Sequence, residues 1–258
     1  MYKIERKSEI INILEQTGKV NVNELSGRFH ASRETIRRDL QEMELDGVLK
    51  RTHGGAVFLN GNTSSAFELP VAVREIQRYS EKNEICRKAA SFIQDGDNIF
   101  IDNSSTCLCL IKYIPSELKV TIITNSIKLL TESVSSSSSN HMVLCLGGIL
   151  NAANYSLYGN TALKNAAEFY PNKSFMSCTG LQQTRLADSS YLEVDIKRFM
   201  IERSNEVYIL ADHSKFEKSG QVFLSDFSRI TGIITDSKTP REHTAFLENT
   251  GVSLILAE

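Results

Sequence analysis

The stretch "ASRETIRRDLQEMELDGVLKRTHGGA", from Ala31 to Ala56, limits most tightly what this chain can fold into. Ile36, Leu40 and Met43 recur at helical spacing, Ser32 stands where a hydroxyl can cap a helix beginning at Arg33, and Asp46-Gly47 supplies a stop. The residues after the stop alternate apolar and polar about Gly54-Gly55, which predicts two short strands joined by a tight turn. Upstream, "ERKSEIINILEQTGKV" sets Ile10, Ile11, Ile13 and Leu14 at amphipathic spacing and stops at Gly18. "NVNELSGRFH" predicts a second short helix, with Asn23 as N-cap and Leu25 and Phe29 on one face. Three short helices followed by a ribbon form a winged helix-turn-helix pattern, whose last helix enters the DNA major groove by its amino-terminal end.

Charge supports this reading locally rather than globally. The formal net charge is −2, which argues against a uniformly basic nucleic-acid binder, and residues 1–57 carry only +1. Clustering matters more: Arg33, Arg37 and Arg38 fall at i, i+4 and i+5 on one helical stripe. Ser32, Arg33, Thr35, Arg37 and Arg38 are expected at bases or phosphates of double-stranded DNA, with Lys50, Arg51 and His53 near the backbone. An arginine fork suits either a guanine edge or a phosphate. The competing reading is a solvated helix face, with these arginines paired to Glu34, Asp39 and Glu42. One short helix reads too few base pairs for a specific site, so DNA binding at least as a dimer is expected.

The remainder has a different texture. A length of 258 residues suits about two domains. The Gly, Asn, Thr and Ser content of 58–80 reads as a linker. From Glu81 a helix carrying Ile85, Ala89, Phe92 and Ile93 on one face is predicted to run to Asp95-Gly96. Seven compact apolar runs follow, "NIFID", "VTIIT", "HMVLCLGG", "KSFMSCTG", "EVYILAD", "RITGIITD" and "GVSLILA", separated by helical or polar stretches. Such alternation predicts a largely parallel, Rossmann-like α/β domain over 81–258, with a sheet covered on both faces.

In such a sheet, ligands bind where loops leave the carboxyl ends of strands. Those exits are polar here: Asp102, Asn103, Ser104, Ser105 and Thr106 after the first run; Thr124, Asn125 and Ser126 after the second; Gly147 and Gly148 after the third. Hydroxyls, amides and backbone N–H groups can cradle a phosphate without a metal. Glu193 and Lys197 lie at i, i+4, and Asp212 and Lys215 follow another strand. Each alone also fits a helix cap or a surface ion pair.

Two segments carry a family resemblance. "TIRRDLQEMELDGVLKRTHGGAV", preceded by "VNELSGRFHASRE", resembles the amino-terminal domain of DeoR-family bacterial transcriptional regulators, with their TIRRDL helix and RxHGGA wing. The resemblance implies sequence-specific DNA binding, usually as a repressor of sugar or carbohydrate genes. It extends over Glu81 to Glu258 and implies a sensor domain similar in fold to sugar-phosphate isomerases, controlled by a phosphorylated sugar or related metabolite. The family's Asp-x-Gly-(Ser/Thr)-Thr loop corresponds to Asp102, Ser105 and Thr106, with Ser104 where glycine is usual. Its remaining elements correspond to Thr124 and Asn125, Gly147 and Gly148, Glu193 and Lys197, and Asp212, Ser214 and Lys215. Lys82 matches a lysine common at the head of the first sensor helix.

Two other readings compete with a regulator. One is an isomerase-like enzyme using Glu193, Asp188 and Lys197 for acid/base chemistry, and the other is an interaction module without a ligand. No GxxxxGK[ST], post-strand GxGxxG or HExxH motif is present. The first residues include Lys3, Glu5, Arg6, Lys7 and Glu9, unlike the apolar core of a signal peptide, and no window approaches the roughly 18 to 20 apolar residues that span a bilayer. Cys86, Cys107, Cys109, Cys145 and Cys178 show no CxxC or Cys/His ligand spacing, so free, mostly buried thiols in a reducing cytoplasm are expected, with no metal or other cofactor and no membrane partner. The serine run Ser135 to Ser139 reads as a solvated loop.

Overall fold

The structure, a computed structural model, describes residues 2–59, 71–136, 139–216 and 218–257. They form two compact units, Met1–Ser80 and Glu81–Glu258.

In the first unit, helix α1 (Lys3–Thr17) ends at Gly18, whose φ of 74° is a left-handed C-cap that favours glycine. Strand β1 (Lys19–Asn21) leads into α2 (Val22–Phe29). The cap of α2 is Asn21, whose side chain accepts the Asn23 backbone N–H, so the N-cap lies two residues before the expected Asn23. Helix α3 (Arg33–Leu45) starts as predicted: the Ser32 hydroxyl accepts the Thr35 N–H at 3.1 Å. Ile10, Ile11, Leu14, Leu25, Ile36, Leu40 and Met43 close a common core. The ribbon of β2 (Leu49–Thr52) and β3 (Gly55–Phe58) gains β1 as a third strand, in the order β1-β3-β2. Gly55 is required by this pairing, because a Cβ there would fall on the Val20 carbonyl. Of the stretch read as a linker, 60–70 lie outside the described residues. Helix α4 (Val71–Ile76) follows and contributes Val73 and Ile76 to the same core.

Helix α5 (Tyr79–Ala90) begins at the last two residues of the first unit and lies otherwise in the second. This helix ends earlier than the periodicity of Phe92 and Ile93 suggests, because Ser91, Phe92 and Ile93 donate to carbonyls three residues back in tighter turns. The seven apolar runs become β4 (Asn98–Ile101), β5 (Val120–Thr124), β6 (His141–Cys145), β9 (Lys173–Met176), β12 (Glu206–Leu210), β14 (Gly232–Asp236) and β15 (Ser253–Ala257). All are paired in parallel in one sheet of order β15-β14-β12-β9-β4-β5-β6. The chain enters at β4, moves outward to β6, returns to β9 on the other side of β4, and continues outward to β15. Loops leaving β4 and β9 therefore diverge, which opens a crevice at their carboxyl ends.

Helices α6 (Ile127–Ser136), α7 (Asn160–Ala166), α8 (Val194–Arg203) and α9 (Arg241–Thr244) connect the strands. The serine run begins inside α6, while Ser137 and Ser138 lie outside the described residues. Two small additions frame the crevice: a hairpin of β7 (Ile149–Asn151) and β8 (Ser156–Tyr158), and an antiparallel sheet of β10 (Gly180–Gln182), β11 (Arg185–Asp188) and β13 (Val222–Ser225). Periodicity did not reveal these strands, each only three or four residues long.

Candidate functional site

The charges of α3 are sorted by face. Asp39, nearly fully buried, receives Arg6 of α1 at 2.5 and 3.2 Å. Hydrogen bonds from Lys3 and Lys7 hold the Glu42 carboxyl down at about 2. Two of the acids that could have neutralised the arginine stripe are thus paired with α1 instead. Glu34 remains near the stripe, at 3.9 Å from Arg37 and 3.5 Å from Arg38, in exposed pairs of small energetic weight. Arg33, Arg37 and Arg38 stay exposed on one cationic face; of the pairings that the solvated-face reading gave them, the one with Glu34 is present and those with Asp39 and Glu42 are not formed. Arg37 also lines a crevice of about 290 Å³ with Arg51, His53 and Gly54, which puts the helix and the wing on one surface. Lys50, Arg51 and His53 are exposed, and the Arg51 N–H is fixed by Glu44 at 2.8 Å. Ser32 and Thr35 join hydroxyls at 2.8 Å at the helix start.

In the second unit, the β4/β9 crevice is built around Asp102. Fully buried, it accepts the Ser104 N–H at 3.0 Å, the Ser104 hydroxyl at 2.5 Å and the Ser177 N–H at 3.0 Å. Ser104 Oγ in turn accepts the Cys107 N–H at 3.2 Å. The side chain standing where the family has glycine therefore ties the loop to its own aspartate. Ser105 Oγ accepts from the buried Lys82 at 3.0 Å, and Thr106 is buried beside it. The Ser105 and Thr106 backbone N–H groups have no acceptor among the described residues and can receive an anion.

Lys197 occupies the apolar stripe of α8 with Val194 and Ile201. Its Nζ lies 2.7 Å from Asp188, 3.1 Å from Asp102 and 2.9 Å from the Ser177 carbonyl. Burial disfavours the ammonium, but the two carboxylates outweigh it and hold its pKa well above the ordinary lysine value. Burial likewise works against the Asp188 carboxylate, and Lys197 overcomes it, leaving that pKa lowered. The expected i, i+4 partnership with Glu193 is not formed. Glu193 is instead buried among neutral donors: Asn151 and Asn154, each at 3.1 Å, and the Ser156 hydroxyl. Of the three residues named for an isomerase-like site, Asp188 and Lys197 meet, and Glu193 is bonded elsewhere.

Thr124 uses its hydroxyl within the backbone, donating to the Ile101 carbonyl at 2.7 Å and accepting the Ser126 N–H at 3.1 Å. Asn125 donates to the Leu157 carbonyl at 3.2 Å and toward Asn103 at 3.4 Å, while its buried Oδ1 has no donor among the described residues. Gly147 and Gly148 take φ values of 68° and 117°, and a Cβ on Gly148 would sit 2.5 Å from the Tyr158 carbonyl oxygen. These glycines form the close-packed root of the β7–β8 hairpin. Asp212 caps the turn His213–Lys215 by accepting the Ser214 N–H at 3.0 Å. Lys215 is half-buried with no ion pair among the described residues, and its charge reaches Cys178, whose thiol burial pushes up to about 12. Cys86, Cys107, Cys109 and Cys178 are buried free thiols, and Cys145 is exposed.

The residues that sequence reasoning missed are Ser177, Asn151, Asn154 and Ser156, together with the role of Asp188 as the principal partner of Lys197. The cluster "NAANYS" was a legible polar signal, but its carboxylate partner lies about forty residues away.

A winged helix with an outward arginine face, and an α/β unit with a polar crevice at its strand reversal, define a DNA-binding regulator with a sensor domain. Residues 6–62 match the DeoR-like helix-turn-helix domain and residues 77–237 the DeoR C terminal sensor domain, and the chain belongs to the DeoR family of transcriptional regulators. The HTH-type transcriptional regulator YulB of Bacillus subtilis is 34% identical, covering 92% of this chain and 90% of that one. The glycerol-3-phosphate regulon repressor of Escherichia coli is 29% identical, covering 93% of each. Ribose 5-phosphate isomerase A of Methanocaldococcus jannaschii superposes with a TM-score of 0.41 at 16% identity, over 54% of this chain and 55% of that one. The similar full-length relatives are regulators rather than enzymes, and so is this chain. No helix among the described residues is long and apolar enough to cross a membrane.

Proposed function

We propose that this regulator acts in the cytoplasm as a repressor of sugar or carbohydrate genes, binds paired operator half-sites as a dimer or higher homo-oligomer, and changes its operator affinity when a phosphorylated sugar occupies the β4/β9 crevice. The observation that carries the sensing reading is the convergence of Lys82, the free Ser105 and Thr106 N–H groups and the orphaned Asn125 acceptor at one strand reversal. Backbone donors and Lys82 suit a phosphate, and Asn125 Oδ1 suits a sugar hydroxyl. Lys197 has its charge committed to Asp102 and Asp188, so it orders the loop, and the half-buried Lys215 is a cation that a ligand phosphate could meet. The Escherichia coli relative takes its name from a regulon of a phosphorylated polyol, which accords with a phosphometabolite here.

A ligand releases DNA only through its differential affinity for two states, and the coupling is reciprocal. The test measures operator binding by the full chain across a panel of phosphosugars and their unphosphorylated counterparts, with Lys215→Ala beside the wild type. One phosphosugar should shift operator affinity of the wild type, while Lys215→Ala should bind operator normally and respond weakly or not at all. A response only to an unphosphorylated molecule would remove the phosphate pocket, and Ser104, tied to Asp102, would be its first suspect.

A further inference from the structure

Strand β15 is one edge of the seven-stranded sheet and pairs only with β14 among the described residues. Its sequence, "SLILA", holds no charge and no proline, and its register with β14 runs without a bulge, so it lacks the devices that blunt an exposed edge. One hydrogen bond fixes which backbone groups are left over. Ser253 N–H donates at 3.1 Å to the carbonyl of Thr231, just ahead of β14, so the N–H and C=O groups of Ser253, Ile255 and Ala257 face β14, and those of Leu254 and Leu256 face outward. Leu254 and Leu256, two residues apart, also send their side chains to one face of the sheet, where they stay 39% and 49% exposed. Together with Leu247 and Val252 they line a groove of about 400 Å³ beside the edge, and Arg241 and Glu248 add one charge of each sign to its wall.

We propose that β15 is the surface through which two copies of the chain join, edge to edge and antiparallel about a two-fold axis, so that their sheets run on into one. The outward groups are symmetric about Ile255. With Ile255 opposite its own image, Leu254 of each copy stands opposite Leu256 of the other, and each such pair exchanges both of its hydrogen bonds, about four in all. A two-fold axis that makes neighbouring strands antiparallel is perpendicular to the sheet and keeps each face on its own side. The two grooves therefore merge into one, with the leucines of both copies packed across the joint.

Charge favours a second copy over a foreign peptide. An isologous contact lays a surface against itself, so any net charge would face its own sign. Arg241 and Glu248 cancel, which meets that condition and offers no complementary field to a strongly acidic or basic partner. This inference rests on the homo-oligomer reading above and names the surface it uses; paired half-sites call for a reader with the same two-fold symmetry.

The test is sedimentation of the full chain at micromolar concentration, comparing wild type with Leu254→Lys, Leu256→Lys and Leu256→Pro, and with Met142→Lys on β6, the other edge strand, as control. All three positions are exposed in the single chain, and Leu256→Pro removes an outward N–H without taking a bond from β14. Unchanged circular dichroism and melting temperature verify the fold of each variant. Wild type and Met142→Lys should sediment as the assembly. The β15 variants should dissociate at least about 10-fold more readily, because each substitution enters the contact twice, as a lysine in the merged groove or as a lost donor at the joined edge. If the wild type assembles and the folded β15 variants hold together as well, or if Met142→Lys weakens the assembly as much as they do, the β15 assignment is overturned while the oligomer stands. A wild type at protomer mass overturns both.

Discussion

Replacing Lys197 with methionine tests the electrostatic centre of the sensor unit. The side chains are similar in length, so the change chiefly removes an ammonium that lies 2.7 Å from Asp188 and 3.1 Å from Asp102. Breaking a buried pair by removing one partner costs about 3–5 kcal/mol, because the remaining charge stays buried. Two carboxylates are left here, but Asp102 keeps three donors from Ser104 and Ser177, which favours a figure near about 4 kcal/mol at pH 8. That is a large fraction of the roughly 5–15 kcal/mol that holds a domain together.

The loss should depend on pH with a definite sign. In the wild type the Asp188 pKa is lowered, so its contribution is complete above the ordinary carboxylate value and disappears only as pH falls through the lower folded one. The raised Lys197 contributes fully below the ordinary lysine value and loses its effect only as pH rises through its higher folded one. Wild-type stability from this cluster is therefore flat between pH 5 and 8. In Lys197→Met, burial without the ammonium raises the Asp188 carboxyl, so the native state takes up a proton that the unfolded chain lacks. The penalty should then shrink on acidification by up to about 1.4 kcal/mol per pH unit for each such proton. The chain has no tryptophan, and near-ultraviolet circular dichroism of Tyr208, stacked on Phe175 in the sensor core with ring centres 5.4 Å apart, reports urea unfolding of this unit. A loss below about 1 kcal/mol at pH 8, or one equal at pH 5 and pH 8, would refute the placement of Lys197 as the counter-charge of two buried acids.

Two further outcomes concern the winged helix. Arg37→Ala and Arg38→Ala should each either flatten the salt dependence of operator binding by about one unit, if the lost contact is to phosphate, or cost about 1–3 kcal/mol at one base position, if it is to a base; fluorescence anisotropy over a salt series decides, and a double variant with wild-type affinity would take α3 out of the interface. Gly55→Ala should unfold the first unit at markedly lower temperature, because its methyl would meet the Val20 carbonyl where β3 pairs with β1. Melting followed by circular dichroism measures this, and an unchanged transition would show that the ribbon adjusts without strain.

Much of the architecture was legible from the chain because its causes are local. Ser32 could be read as a cap because a hydroxyl accepting a backbone donor three residues on needs nothing beyond that turn. All seven apolar runs became strands of the parallel sheet, because a strand covered on both faces must be apolar almost throughout. The polar strand exits could be read for the same reason: Asp102 and Asn125 follow the carboxyl ends of β4 and β5 once the sheet is parallel. Where local signals competed, the reading moved by small steps. The cap of α2 fell to Asn21 rather than Asn23, and α5 stopped at Ala90 although apolar spacing continued through tighter turns.

Pairing between distant segments was beyond the sequence. Glu193 and Lys197 are ideally spaced for a helical ion pair, which is worth only about 0.2–0.5 kcal/mol. Packing placed Lys197 instead on the buried stripe of α8, against two acids taken out of water, where leaving a charge unpaired costs several times more. Asp39 followed the same logic, buried against Arg6 of α1, whereas the more exposed Glu42 meets Lys3 and Lys7 because that helix packs against α3. The sequence by itself determined which elements form and which residue types line the strand exits, since those depend on neighbours along the chain. Only the tertiary structure decided which charge meets which, because desolvation, not spacing, sets the energy of a buried charge.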